Sequence, residues 1–392
     1  MDRRKSPSRA GFTLVELLVV IVIIATLIAI LLPAIRGAYR KAQEAQVGAE
    51  LNNLATALAS FKTAYGDYPP SRIVLCEAGY NNSGLTAAQL SAPAGPLSPS
   101  GNDTDITLGQ LIQRSRLYLR RFWPRVDFDN GSIPFNFNNN GSSSEVLTIN
   151  GSECLTFFLG GMPLQDGNGG YGMTGFSKLP LNPFLPPNPA SSTTGASNRS
   201  VPNYEFNTGR LVDLDGDGIP SYLDPLDITP GNRRSYAYFC AYGSNSYDPN
   251  DVNGLGRRFD SSDPREDYEQ EDPLPTDLMP VYVERGFTVA FPTSSSTANY
   301  AVSPGPNPYC TSTPVPATGT VTWINPNSFQ LFSAGPDRLW GLGGTFVQNS
   351  LGSTKLTIAS GDTGIVNARD TNNNVRNRES DNLSNFSSGR LE

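Results

Sequence analysis

The chain has no histidine among its 392 residues. Histidine is the commonest general base near neutral pH and a frequent metal ligand, so its absence excludes Ser-His-Asp chemistry and histidine metal sites. The sequence also lacks a P-loop, a nucleophile elbow and an S-x-x-K pattern. These absences favour a chain that is not an enzyme.

Charge is also scarce, since only 17% of the residues are charged and the formal net charge is −7. An acidic exterior argues against nucleic acid and anionic lipid headgroups as partners, and it is compatible with divalent cations. In contrast, glycine (38) and proline (32) are abundant. We therefore expect loops and short strands to dominate most of the chain.

An uncharged apolar segment, interrupted only by Glu16, runs for 21 residues from Phe12 to Leu32. At about 1.5 Å rise per residue it is long enough to cross a bilayer. The preceding residues, 1–11, carry four basic side chains and one acidic one, which predicts a cytoplasmic N-terminus and an exported remainder. A plain membrane anchor and an uncleaved signal peptide are the simpler interpretations. A cleavable secretory signal would instead have a shorter apolar core followed by small residues.

The order of these parts resembles the N-terminal signal of type IV prepilins and type II secretion pseudopilins. The residues that carry the resemblance are Gly11, Phe12, Thr13, Leu14, Glu16 and Pro33. It implies that a prepilin peptidase cuts after Gly11 and that Phe12 becomes a methylated N-terminus. It also implies that Glu16 pairs with the N-terminal amine of a neighbouring subunit. A buried charge that must find its partner is well suited to setting registry.

The resemblance predicts three regions: a leader at 1–11, a transmembrane and stalk helix at 12–66, and an exported α+β domain at 67–392. Beyond Pro33, apolar residues recur at spacings of three and four up to Phe61, and Gly66, Pro69 and Pro70 end the pattern. We expect Pro33 to kink or loosen the helix. Loss of the leader would take the formal net charge from −7 to −10.

The sequence of residues 67–392 predicts a loop-rich antiparallel sheet. We expect the long apolar stalk helix to pack on this sheet, as in pilins. A helix is predicted at 106–121, a short helix or buried strand at 153–160, and an irregular segment at 162–200. The last eleven residues, 382–392, have the composition of a disordered tail. Strands are predicted at 236–242, 279–291, 320–324 and 329–335.

The four cysteines, Cys76, Cys154, Cys240 and Cys310, are widely spaced and form no C-x-x-C motif. This spacing argues against zinc and thioredoxin-like sites. In an exported chain an even number of cysteines predicts at least one disulfide, whose pairing the sequence does not give. The alternative is that some of them are buried thiols.

Residues 212–225, VDLDGDGIPSYLDP, contain aspartates at alternate positions followed by a glycine. This spacing is that of a Ca²⁺ loop, because Ca²⁺ takes 6–8 oxygen ligands and alternate carboxylates converge in a tight turn. The segment resembles the loops of thrombospondin type 3 and dockerin-like repeats, and the prolines around it preclude the helices of an EF-hand. A solvated acidic turn is the alternative. The predicted ligands are Asp213, Asp215, Asp217, the Ile219 carbonyl, Ser221 or a water, and Asp224.

A second candidate element is FSAGPDRLWG at 332–341. It resembles the S-x-G-P-D element near the C-terminus of major pseudopilins, where the family often builds a calcium-stabilised loop. Asp337 is then a possible ligand in that loop.

Two functions remain. The first is a structural subunit of a type II secretion pseudopilus or a type IV pilus-like filament. The expected partners are a prepilin peptidase, other pilin subunits, an inner-membrane assembly platform and the membrane itself. The second is a binding module or adhesin displayed on the same anchor. Both place the chain in the inner membrane, with its large domain in the periplasm or on an extracellular filament.

Overall fold

A computed structural model describes residues 14–81, 83–91, 107–129, 135–187, 198–214, 216–226, 235–242, 247, 308–312, 322–336, 344–346, 381–387 and 389–391. The chain separates into two compact units, Met1–Ala45 and Gln46–Glu392. The boundary between them falls within the first helix.

Helix α1 is a single α-helix of 52 residues, Leu14–Tyr65. In the first unit its large apolar side chains are exposed, as expected of a segment that meets lipid or other helices rather than its own core. Pro33 lies inside the helix without ending it. Transmembrane helices tolerate such a proline because neighbouring groups and local adjustments satisfy the freed carbonyl.

The C-terminal end of α1 is closed by Gly66, whose φ is 88°. Its N–H donates to the Lys62 carbonyl at 2.7 Å. A glycine in the left-handed region at this position is the common way to end a helix, as predicted for Gly66.

In the second unit, α1 buries one face in the main apolar core. Val47, Leu51, Leu54, Leu58 and Phe61 are each at most 1% exposed. This core also includes side chains from the first strand pair and from a later helix, Leu108–Phe122. Helix packing of this kind stabilises the end of α1 more than its intrinsic propensity does.

The segments around this core alternate short helices and strands. Strand β1, Arg72–Cys76, pairs antiparallel with β2, Val146–Asn150. The 153–160 run is helical and fully buried, which selects the first of its two predicted alternatives. The helices are α2, Ala87–Ser91; α3, Leu108–Phe122; α4, Gly151–Leu155; and a π-helix, Thr156–Gly160.

Two small hairpins follow. The first pairs β3, Pro163–Gln165, with β4, Tyr171–Met173, so the segment predicted as irregular at 162–200 contains ordered strands. The second pairs β5, Leu211–Val212, with β6, Ser221–Tyr222. A 3₁₀ turn, Thr208–Arg210, leads directly into β5.

Six further strands form two three-stranded sheets. Their bounds are β7, Ala237–Cys240; β8, Tyr309–Ser312; β9, Thr322–Trp323; β10, Phe329–Ser333; β11, Gly344–Thr345; and β12, Leu383–Ser384.

The first sheet has the order β12–β10–β7 and is antiparallel. The second has the order β11–β8–β9 and includes one parallel pair, β11 with β8. The predicted strand at 320–324 therefore joins the second sheet, and that at 279–291 lies outside the described residues.

The first sheet is buried on both faces. Along β7, Tyr238 and Cys240 belong to the main core, whereas Ala237 and Phe239 belong to a second apolar cluster. This sorting follows the two-residue period of a strand. A long apolar helix followed by antiparallel segments confirms the predicted α+β, pilin-like fold.

The C-terminal tail differs from its prediction. Leu383 pairs β12 with β10, and Leu391 is fully buried in the second cluster. The polar composition of the tail concealed these two leucines, whose burial holds the described part of the segment in place.

Candidate functional sites in the stalk and the aspartate loop

Glu16 lies in the first turn of α1, with its side chain in an apolar and exposed part of the helix. The helix is long and apolar enough to cross a membrane. The predicted processing residues, Gly11 and Phe12, lie outside the described residues. Pro33 is exposed on the same helix.

A second carboxylate of α1, Glu50, is the centre of a polar cluster that the sequence did not reveal. Arg210 donates to both carboxylate oxygens, from Nη1 and Nη2, at 2.8 Å each. The hydroxyls of Tyr222 and Tyr236 donate at 2.6 Å, and that of Tyr204 at 3.3 Å. We call these five side chains the Glu50 cluster.

The Glu50 cluster is almost completely shielded from solvent. The side chains of Arg210 and Glu50 are 10% and 13% exposed. Burial raises the pKa of Glu50, but hydrogen bonds from Arg210, Tyr222 and Tyr236 outweigh it and hold that pKa below its usual value of 4.5. Glu50 is therefore ionised at neutral pH, and its charge is satisfied by a bidentate guanidinium, the strongest common geometry for such a pair.

Arg210 also joins the cluster to the second hairpin. Its Nε donates to the Leu223 carbonyl at 2.9 Å, and its guanidinium lies 4.2 Å from the centre of the Tyr222 ring. Because Glu50 lies on α1 and the other members lie on the loops and strands of residues 204–236, the cluster connects the helix to the rest of its unit.

We call residues 213–224 the aspartate loop. Hydrogen bonds to Asp213 close the first half of this loop. Its Oδ1 accepts from the Gly216 N–H at 2.8 Å, and its Oδ2 accepts from the Gly218 N–H at 2.9 Å. The Tyr171 hydroxyl donates to the same carboxylate at 3.0 Å. Gly216 and Gly218 both have positive φ, 82° and 87°, so the tight turn depends on these glycines.

Asp217 and Ile219 hold the middle of the loop. The Ile219 N–H donates to Asp217 Oδ1 at 2.7 Å, while the Ile219 side chain is fully buried. Asn138 Nδ2 donates to the Asp217 carbonyl at 2.8 Å. The loop is thus attached to the core by one apolar and one amide side chain.

Asp224, the predicted closing ligand, lies in the core. Ser333 Oγ of β10 and the Leu226 N–H donate to its carboxylate. Burial raises its pKa to about 6 despite these bonds. Asp224 therefore ties the end of the loop to the first sheet. Its hydrogen-bond partners, Ser333 and Leu226, differ from those of Asp213.

Asp215 and Asp337 lie outside the described residues. Within the part of the chain that the structure describes, no group of three or more His, Cys, Asp or Glu side chains is arranged to hold a metal ion. The predicted ligand set is incomplete there because Asp215 is one of its members, so calcium binding stays a prediction.

The N-terminal segment has a counterpart among known families. Residues 6–32 match the family model of the prokaryotic N-terminal methylation motif. This motif is typical of type IV pilins and pseudopilins, and it implies processing by a prepilin peptidase and assembly with other pilin subunits in a membrane. No curated protein and no solved structure matches the chain.

The motif and the geometry of α1 together indicate a membrane-anchored, exported, pilin-like subunit. The match covers residues 6–11 of the predicted leader and the apolar segment to Leu32, including Gly11, Phe12 and Glu16. The families that carry this motif are generally structural rather than enzymatic.

Three of the four cysteines are buried thiols in the structure: Cys76, Cys154 and Cys240. Burial raises the pKa of Cys76 to about 12, which makes its thiolate scarce at neutral pH. The side chain of Cys310 is outside the described atoms. The predicted disulfide is therefore not found among the three described thiols, which behave as small apolar core residues.

Proposed function

We propose that the chain is a structural subunit of a type II secretion pseudopilus or a type IV pilus-like filament assembled from the inner membrane. The observation that carries this proposal is the methylation motif at residues 6–32, whose part from Leu14 onward lies in a helix of 52 residues. The leader remains in the cytoplasm, and residues beyond the apolar segment are exported to the periplasm or displayed on a filament.

In this proposal the apolar segment stores the subunit in the membrane until assembly. A prepilin peptidase removes the leader after Gly11, and the new amine of Phe12 is methylated. Glu16 then pairs with the Phe12 amine of a neighbouring subunit at an inner-membrane assembly platform. A lone carboxylate in lipid costs about 2.5–3.5 kcal/mol on insertion scales, so the pair is strongly favoured once the subunits meet.

The Glu50 cluster gives the exported unit a fixed attachment to the helix. A filament subunit is moved through its helix, and any force on the helix must reach the folded unit. A buried bidentate ion pair with three tyrosine donors allows only one register of α1 in this core. Fixing a register is the best-attested role of buried charges in helical assemblies.

Replacement of Glu16 tests the proposal. We expect Glu16→Ala to insert into the membrane normally, because it removes a charge from an apolar segment, but to be lost from filaments. Thr26→Ala is the matched control, since Thr26 lies in the same exposed span and bonds only to the Ile23 carbonyl in its own helix. Filaments that contain Glu16→Ala at the level of Thr26→Ala would contradict the proposal.

We further propose that Ca²⁺ stabilises the exported unit at the aspartate loop. Support comes from the spacing of Asp213, Asp215 and Asp217 and from the turn built on Gly216 and Gly218. Carboxylate and carbonyl oxygens are the ligands that Ca²⁺ prefers. Asp224, bonded to Ser333 and Leu226, would have to exchange these partners to serve as the closing ligand.

Thermal unfolding of the full chain in detergent tests this second part. Added Ca²⁺ should raise the melting temperature, chelation should reverse the rise, and Asp213→Asn/Asp217→Asn should abolish it. Asp166→Asn is the control: Asp166 also accepts backbone N–H groups in a glycine turn, at residues 168 and 170, outside the aspartate loop. A melting temperature that does not respond to Ca²⁺ would exclude the calcium loop.

A further inference from the structure

Helix α3 concentrates positive charge in an acidic chain. Residues 107–126 contain five arginines and no lysine, aspartate or glutamate. Four of these arginines lie in α3 and the fifth, Arg125, follows it. The formal net charge of the whole chain is −7, so this segment is an exception to its general surface.

Ion pairs within the unit neutralise part of this positive charge. Arg116 contacts Asp129 and Arg121 contacts Asp67, each at 2.5 Å. Arg120 is 3.7 Å from Asp129, which Arg116 already engages more closely.

Arg125 is exposed, and none of the carboxylates in the described ranges forms an ion pair with it. Asp127 and Asp129 follow the five arginines in the chain, and Asp67 pairs with Arg121, so the arginines exceed these three carboxylates by two formal charges.

Helix α3 also carries an exposed leucine. Leu117 is 68% exposed, whereas Leu111, Ile112 and Leu119 of the same helix are buried. Arg120 and Arg121 lie three and four residues after Leu117 and so share its face. We call Leu117, Arg120, Arg121 and Arg125 the α3 ridge.

Helix electrostatics account for only part of the α3 ridge. Cations in the last turn of a helix are favoured by its dipole, which explains Arg120 and Arg121. The dipole explains neither an exposed leucine one turn earlier nor Arg125 beyond the helix. An apolar side chain beside arginines is, however, a common composition of the anchor points of protein interfaces.

We propose that the α3 ridge binds the acidic surface of a second copy of this chain. The mature chain would carry a formal net charge of −10, so a second copy offers the charge that complements the ridge. Exposed carboxylates of the described unit that lie outside the ridge include Asp166 and Glu205.

A contact between two different surfaces of identical chains is heterologous, and its repetition builds a ring if the rotation closes and an open helical filament if it does not. The inference thus rests on the proposed function and specifies one of its subunit contacts. It also explains why an acidic chain retains one basic, partly apolar ridge.

Site-directed photo-crosslinking of the full chain in its native membrane tests the inference. The photoreactive residue p-benzoyl-phenylalanine replaces Leu117, and in a matched chain it replaces Leu181, which is 58% exposed and lies outside α3. We expect a crosslinked product of two copies from position 117 and much less from position 181. The crosslinked peptide of the second copy should be rich in Asp and Glu.

Charge reversal provides the second variant. Arg120→Glu/Arg125→Glu should lower the yield of the two-copy product from position 117 about tenfold, because like charges then face each other. Lys178→Glu, which reverses an exposed charge elsewhere, should leave the yield unchanged. High salt should act in the same direction as the double reversal.

Two results would overturn the inference: a product at position 117 with lipid, glycan or another protein in place of a second copy, or an equal yield after charge reversal. The N-terminus of the same samples separates this inference from the proposed function. Methylated Phe12 without the two-copy product refutes only the α3 ridge, whereas an N-terminus at Met1 refutes the filament proposal.

Discussion

At the scale of single residues, α1 carries two carboxylates in opposite environments. Glu16 lies in an exposed apolar segment, where a charge requires a partner from outside the unit. Glu50 is buried and takes its partners from within, through Arg210 and three tyrosine hydroxyls. The first is suited to assembly between subunits, and the second to attachment within one.

Loss of the Glu50 charge should be severely destabilising. Glu50→Gln keeps the shape of the side chain but leaves the Arg210 guanidinium buried without its counter-charge, at an expected cost of about 3–5 kcal/mol. Asp67→Asn is the control, because the side chains of Asp67 and its partner Arg121 are 31% and 55% exposed, and exposed pairs contribute about 0–1 kcal/mol. Urea unfolding of the full chain in detergent measures both, and equal midpoints would contradict the role of the cluster.

Glu50 should also make stability depend on pH. Its pKa is lower in the folded chain than the usual 4.5, so the native state binds fewer protons than the unfolded state does. Its contribution is present above about pH 4.5 and is lost as the pH falls through the folded pKa. Between pH 5 and pH 3, about the range in which carboxylates titrate, the unfolding free energy of the wild type should fall more steeply than that of Glu50→Gln. Parallel curves would refute this assignment.

Sequence reasoning could have found Glu50 but not its partners. Glu50 lies three residues after Val47 and four before Leu54, on the face that the helical spacing predicts to be buried. A carboxylate on that face needs a partner. The partners are 154–186 residues away along the chain, and no local pattern connects positions at that distance.

At the scale of elements, α3 illustrates how local rules act within the fold. Thr107 and Gln110 form a capping box, in which each side chain bonds the backbone N–H of the other residue. The helix then buries Leu111, Ile112 and Leu119. Its beginning, its apolar face and its basic end are all legible in the sequence, and the predicted range of 106–121 differs from it by one or two residues at each end.

The cap of α3 should be worth about 1 kcal/mol. Thr107→Ala removes the side-chain acceptor for the Gln110 N–H, and losses of such caps are typically of this size. Thr86→Ala serves as the comparison: Thr86 makes the same kind of contact with Gln89, but α2 has no buried residue. Its effect on the unfolding free energy of the chain should be negligible, and a larger effect than that of Thr107→Ala would contradict the argument.

Three segments of the backbone lie close together at Gly175, and we expect no side chain to fit there. A Cβ at Gly175 would lie 1.9 Å from the Ser200 carbonyl oxygen, and its φ is 73°. Gly175→Ala should therefore prevent correct packing and abolish the cooperative unfolding transition of the chain. In Gly172→Ala, the nearest atom to the new Cβ is 3.9 Å away, so a normal transition is expected. Normal unfolding of Gly175→Ala would show that this contact is not required.

The strands show the limits of sequence patterns at this scale. The predicted strands at 236–242 and 329–335 are found as β7 and β10, within those bounds, and pair antiparallel with each other, as their aromatic and apolar content indicated. The two-residue strands β5, β6 and β12 are too short to carry any period. Leu391 of the polar tail is buried by contacts with distant elements, and the composition of the tail does not encode them.

At the scale of the whole molecule, the chain combines an N-terminal methylation motif with a large second unit. The motif match covers residues 6–32. The described part of the second unit is held together by two apolar clusters, by the Glu50 cluster and by the contact of the aspartate loop with the first sheet through Asp224 and Ser333. The N-terminal motif was predictable because its chemistry is local, whereas the unit beyond it depends on contacts between distant segments.

The intact mass of the protein purified from its native membrane, with the sequence of its first residues, tests the central claim most directly. The account predicts a chain that begins at Phe12, lacks residues 1–11 and carries one added methyl group on its N-terminal amine. An N-terminus at Met1, or one beyond Pro33, would contradict it. The chain would then be a plain anchored or secreted protein, and the filament proposal would fall.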